Sequence, residues 1–227
     1  MARQMAAYTQ MPPLSAATLP QMRQGMNRYM RPRLADVAVD KRVIAGSRGQ
    51  PPVTIYVINA KPGASRPGIL DTHGGGFILG TAEGDIADLQ ATCKALDCAA
   101  VTVDYRLAPE TTYQGSIEDN YAGLKWLHAN AAALGVDPRR IAVMGGSAGG
   151  GHAALLAITA RDRGEVPVAF QCLIYPMLDD RTGSSRVPPP QVGHLIWTPQ
   201  QNRYGWQSFL GMTPGGAAVT ARAVPAR

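Results

Sequence analysis

The stretch Ile141–Leu155, IAVMGGSAGGGHAAL, decides the fold. A short apolar strand, Ile141 to Met144, runs into glycines and then into a helix rich in alanine and leucine. Gly145-Gly146-Ser147-Ala148-Gly149 fits G-x-S-x-G, in which a serine sits on a sharp strand-to-helix bend. So tight a bend forces the serine into strained torsions. It leaves no room for side chains at the flanking glycines. It also lifts the hydroxyl clear of the backbone, while the first helix amides point at the same space and make a ready site for an anion. A glycine-rich helix start with no chemistry satisfies the bare pattern too, so the context has to decide.

Outward from this bend, strand and helix alternate. ADVAVDKRVIAG (35–46) and PVTIYVINA (52–60) alternate and are β-branched, which predicts an antiparallel pair. PGILDTHGGG (67–76) is a strand entering glycines, and a helix follows around Ile86 to Leu96. CAAVTVDY (98–105) and VAFQCLIYP (168–176) are near-continuous apolar strands, as in a sheet covered on both faces. Ser116 to Leu134 reads as one helix closed by Gly135, DPRR (137–140) turns into the strand at Ile141, and the helix after Ser147 runs to about Arg161. Thr198 N-caps a last helix with Pro199 at its first position and Gly211 as its stop. The alternation predicts an α/β class fold with a mostly parallel central sheet flanked by helices.

A second glycine motif, His73-Gly74-Gly75-Gly76, follows a strand roughly 70 residues before Ser147. Glycines there leave backbone N–H groups bare for a substrate carbonyl. Preorganised donors stabilise the oxyanion of acyl transfer by roughly 3–4 kcal/mol each. His73 itself reads as a brace for this loop.

HGGGF (73–77), VDYRLAPE (103–110), GGSAGG (145–150) and LIYPMLD (173–179) occur in the order and spacing of one family. The chain resembles the bacterial hormone-sensitive lipase family of α/β-hydrolases. The likeness runs from Thr72 to Asp180, and RYGWQSFLG extends it to about Gly211. The resemblance implies an α/β-hydrolase fold and hydrolysis of short- or medium-chain carboxylic esters, with neither cofactor nor metal. It also implies Ser147 as nucleophile and the amides of Gly74, Gly75 and Ala148 as oxyanion hole. Gly146 departs from the family, which usually has aspartate there as support for the bend. Asp71, inside the strand before His73, is unusual as well.

A serine hydroxyl needs a histidine base held by a carboxylate, and in this fold the order is Ser, then Asp or Glu, then His. After Ser147 the acids are Asp162, Glu165, Asp179 and Asp180, and the histidines are His152 and His194. The family's aspartate motif and late histidine belong to two further strands that the sequence does not contain. Three explanations stand. The chain is a C-terminally shortened member whose activity is impaired. Alternatively, a rebuilt triad joins Ser147, Asp179 or Asp180, and His194. Or the fold is a small-molecule binder without hydrolysis. His152 lies five residues along the helix from Ser147 and points away from the attack direction. His128 reads as surface. Without further strands, VAFQCLIY becomes an exposed apolar edge, which predicts self-association or marginal stability.

Composition narrows the rest. The 227 residues carry a formal charge of +6, with all sixteen carboxylates between Asp36 and Asp180. Five arginines precede that span and five follow it, scattered without a basic cluster, which reads as solvated surface and excludes a nucleic-acid patch. No apolar run reaches membrane-span length. Cys93, Cys98 and Cys172 are too few for a disulfide or zinc framework and fit core positions in a reducing, cytoplasmic setting. Residues 1–35 form a cap-like arm before a core of residues 36–227. In the arm Leu19, Met22, Met26, Met30 and Leu34 recur at helical spacing, broken by prolines. Two readings of the arm stand equally: a helix on the surface, or a flap over the acyl pocket.

Overall fold

The computed structural model describes residues 14–26, 30–193 and 196–227. His194 and Met26's side chain lie outside what it describes. Six strands form one sheet in the order β1-β2-β4-β3-β5-β6. β1 (Val39–Ile44) and β2 (Val53–Ile58) are the antiparallel pair the alternation predicts, in register from Val39 opposite Ile58 to Ile44 opposite Val53. β2 then pairs antiparallel with β4 (Ala99–Asp104). β3 (Arg66–Thr72) lies parallel between β4 and β5 (Val136–Gly146), and β6 (Phe170–Ile174) adds the last parallel strand. Of the two strands read as apolar runs, β4 is central, with only Asp104 exposed, whereas β6 is the last strand of the sheet and none of its residues is buried.

Helices cover both faces. They are α1 (Leu19–Met26), α2 (Ala82–Leu96), α3 (Tyr113–Ala129), the short α4 (Ala131–Leu134), α5 (Ala148–Arg163) and α6 (Pro199–Leu210). α3 and α5 bury Tyr121, Leu124, Leu127, Ala153 and Leu156 against the central strands. α2 buries Ile86, Leu89 and Cys93 in a second cluster with Tyr56 and Ile58. The third cluster joins α1, α6 and the loop after β3, and it holds up the region around Ser147.

Three details differ from the reading of the sequence. The helix expected from Ser116 to Leu134 starts at Tyr113 and breaks at Asn130, whose Nδ2 donates to Trp126 O at 2.8 Å. A side-chain amide that competes for backbone carbonyls is a helix interruption. DPRR lies inside β5 rather than before it. Its partner strand advances only from Arg66 to Gly68 while β5 advances from Val136 to Ile141, so Asp137–Arg140 bulge out of the ladder. In the arm, Leu19 and Met22 are buried while Met30 and Leu34 are exposed. The helical stripe therefore stops where α1 ends.

Candidate active site

Ser147 joins β5 to α5 at φ 56° and ψ −120°, a strained region for a residue with a side chain. The neighbours show why glycines surround it. A Cβ on Gly149 would sit 1.9 Å from Thr72 O, and one on Gly145 would sit 2.4 Å from the Gly149 backbone. Gly146 is different, because a Cβ there would meet only the Tyr175 ring at 3.6 Å. The bend is pinned from β6: Ser147 N–H donates to Ile174 O at 2.9 Å, and Met177 N–H donates to Ser147 O at 2.9 Å. The Thr72 hydroxyl, donating to Gly149 O at 2.7 Å, ties β3 to the start of α5.

The loop after β3 packs on this bend. A Cβ on Gly74 would come within 3.0 Å of Gly146 O and 3.7 Å of Ser147 Cβ. Gly75 (φ 123°), Gly76 (φ 60°) and Phe77 (φ 70°) carry the chain through positive φ. Among the described residues, no backbone acceptor takes the N–H of Gly74 or Gly75. Ala148 opens α5, where the first amides have no intrahelical partner. Of the three predicted donor positions, Gly74 and Ala148 thus lie beside Ser147.

Several contacts hold the loop. His73 Nδ1–H donates to Gly74 O at 2.8 Å, and its ring stacks on Tyr105 at 4.1 Å between centroids. Burial pushes the His73 imidazole down to about 4, so it is neutral near pH 7 and acts as a brace. The Trp197 ring lies where any side chain at Gly76 would be, and Phe77 stacks on Phe209 of α6 at 4.1 Å. Arg23 of α1 donates to Ile78 O and Ala108 O, both at 2.8 Å, and pairs with both Glu110 oxygens. Arg23 therefore departs from the reading of the flanking arginines as solvated surface. The sequence offered no sign of this, since its partners lie more than 50 residues away.

Beside Ser147 opens a cavity of about 320 Å³ bounded by Gly146, Tyr175, Ile174 and three acids, Asp71, Asp85 and Asp88. Burial, then the Asp85 charge, pushes the buried Asp71 carboxyl well above the usual carboxylate range, although the Thr102 hydroxyl donates to its Oδ2 at 2.9 Å. Burial, then Asp88, raises Asp85 to about 6. Asp71 stood out in the sequence. Asp85 and Asp88 did not, because their spacing on α2 means something only once that face of α2 is known to meet the end of β3.

The base candidates fall elsewhere. His152 is buried among Phe77, Tyr105 and Phe209, with no hydrogen-bond partner for either ring nitrogen among the described residues. Burial, then the neighbouring His73, pushes it down to about 3. His128 is half-buried in the last turn of α3. Both Asp180 oxygens are taken, Oδ1 by Arg227 Nε at 2.9 Å and Oδ2 by Arg227 Nη2 at 3.0 Å and Gly215 N–H at 2.5 Å. Asp179 is held by Arg181 at 2.7 Å and Arg186 at 3.1 Å. His194 is outside the described residues. Among those described, no side chain hydrogen-bonds the Ser147 hydroxyl, and no cluster of three or more candidate ligands could hold a metal ion.

Comparison with known proteins agrees with this geometry. A family described as "alpha/beta hydrolase fold" matches residues 69–226. Esterase LipI of Mycobacterium tuberculosis is 41% identical over 149 residues, covering 63% of this chain and 44% of LipI. Carboxylesterase NlhH of the same species is 46% identical over 110 residues, covering 48% of this chain and 34% of NlhH. The chain thus spans less than half the length of these curated relatives. The solved structure of a bacterial heroin esterase superposes with a TM-score of 0.85 at 37% identity, covering 98% of this chain and 73% of that one. Strand order, the bend at Ser147 and these likenesses together place the chain in the α/β-hydrolase family, of the hormone-sensitive lipase type.

Proposed function

We propose that this chain is a serine carboxylesterase acting on esters of short to medium acyl chains through Ser147. The carrying observation is the bend itself: a serine at φ 56° on a strand–turn–helix corner, with Gly74 packed against its Cβ. In this reading the Ser147 hydroxyl attacks the ester carbonyl, and the N–H groups of Gly74, Gly75 and Ala148 receive the oxyanion. The buried Tyr105–His73 stack keeps the loop in place before substrate arrives. No cofactor is required by these steps. The proton acceptor is the open part. His194 is the candidate base after Ser147, and Asp180 is the acid that would orient it only by releasing Arg227.

A second reading, a non-catalytic binder of small molecules, draws on a Ser147 hydroxyl without a partner among the described residues and on the arginine-bound Asp179 and Asp180. Hydrolysis of p-nitrophenyl acetate and butyrate by the wild type, Ser147→Ala and His194→Ala separates the two. Loss of turnover in Ser147→Ala supports the esterase, and loss in both variants assigns the base to His194. Turnover that is the same in the wild type and Ser147→Ala would sink the esterase reading and leave the binder.

A further inference from the structure

At the C-terminal end of α2, two cysteines come together. The helix stops at Asp97, which adopts φ 45° and ψ 58°. The N–H groups of Asp97 and Cys98 both fold back onto Cys93 O, the latter at 3.1 Å. Such a six-residue closure brings the side chains at its two ends together, usually as an apolar contact. Here those two side chains are thiols. Asn59 holds the turn closed, its Nδ2 donating to Cys98 O at 2.8 Å and Cys93 O at 3.4 Å.

A buried cation lies beside the pair. Arg66 is 6% exposed and bonds Asp97 and Asn59 O, while its buried Nε has no acceptor among the described residues. The contact with Cys93 and the Arg66 charge both pull the Cys98 thiol down against burial, and the contact with Cys98 pushes Cys93 up. These contacts favour Cys98 as the attacking sulfur and Cys93 as its partner. Both cysteines are buried, at 0% and 1% exposure, while Leu96 in the closing turn between them is 66% exposed.

We propose that Cys93 and Cys98 form a redox-active dithiol that small peroxides convert reversibly to an intramolecular disulfide. The Cys98 thiolate attacks the peroxide O–O bond and becomes a sulfenic acid, releasing water once the leaving oxygen is protonated. The Cys93 sulfur then attacks Cys98 sulfur and expels a second water as the S–S bond forms. The two thiols lose two electrons in all and the peroxide gains them. A thiol reductant reverses the step by exchange. Oxidation would lock the C-terminal turn of the helix whose Asp85, Asp88 and Thr92 wall the cavity beside Ser147. The inference goes beyond the esterase reading and does not depend on turnover.

The test treats the full chain with hydrogen peroxide, blocks remaining thiols with iodoacetamide in denaturant, and maps tryptic peptides. Trypsin cuts after Lys94, so a Cys93–Cys98 bond links two otherwise separate peptides. The expected result is that linked pair, with both cysteines unalkylated, Cys172 still alkylated, and the link lost with dithiothreitol. In Cys93→Ser, Cys98 is expected to accumulate as a dimedone-reactive sulfenic acid, and in Cys98→Ser, Cys93 is expected to stay reduced. Full alkylation of both cysteines after peroxide overturns the proposal, and so does linkage seen only after unfolding. The wild-type map decides the matter even if a serine variant fails to fold.

Discussion

His152 is a buried imidazole with neither nitrogen bonded among the described residues, and a neutral ring in that state leaves a donor and an acceptor unpaired. Such groups cost about 1–3 kcal/mol. His152→Leu is therefore expected to be more stable by about 1 kcal/mol or more near neutral pH. Its folded-state pKa of about 3 lies below the ordinary 6.5. The unfolded chain thus binds the proton first, and stability present above 6.5 is lost as pH falls toward 3. Thermal melts across that range should show the gap between variant and wild type widening toward acid. Asp85 has the opposite sign. Its pKa is raised from 3.8 to about 6, so the stability tied to its protonated form is present below 3.8 and lost as pH rises through 6. Asp85→Asn should match the wild type in acid and exceed it above pH 6, by up to roughly 3 kcal/mol at one pKa unit per 1.36 kcal/mol. Gly146 bears on the same cavity. An aspartate there would fit beside Tyr175, but it would add a carboxylate to a space already bounded by Asp71, Asp85 and Asp88. Gly146→Asp, though closer to the family pattern, should therefore lower stability at neutral pH, read as a lower Tm.

At the scale of elements, α6 carries the clearest sequence signal and the clearest structural counterpart. Thr198 Oγ1 accepts from Gln201 N–H at 3.2 Å, and Gln201 Oε1 accepts from Thr198 N–H at 2.8 Å, a reciprocal capping box. Thr198→Ala should cost about 1 kcal/mol in a urea melt. Because α6 seats Phe209 and Trp206 on Phe77, the same variant should also loosen the glycine loop. Caps, glycine stops and apolar strands were legible because each is set by residues close in sequence. The bend at Ser147 was legible for the same reason. Arg23 on the loop carbonyls, Arg227 on Asp180 and the break at Asn130 were not. The first two depend on partners that only the finished fold brings near, and an asparagine in a helical run becomes a break only when its side chain wins a backbone carbonyl.

For the whole molecule, β6 is the exposed boundary. Phe170 is 66% exposed and Ile174 42%, on a strand whose outer side has no neighbour in the sheet among the described residues. Open apolar edges pair with other chains unless charge or proline blocks them. Light scattering should find this chain self-associating, and Phe170→Lys should shift it toward the monomer; a wild type that stays monomeric at high concentration would count against the edge as a pairing site. The opposite side of the same region has a quieter dependence. Asp180 is fully buried and its ion pair is with Arg227, 47 residues on. Removing one partner of a buried ion pair costs about 3–5 kcal/mol. Arg227→Ala would thus leave a bare carboxylate inside the protein. Its Tm should fall although every atom around Ser147 is intact.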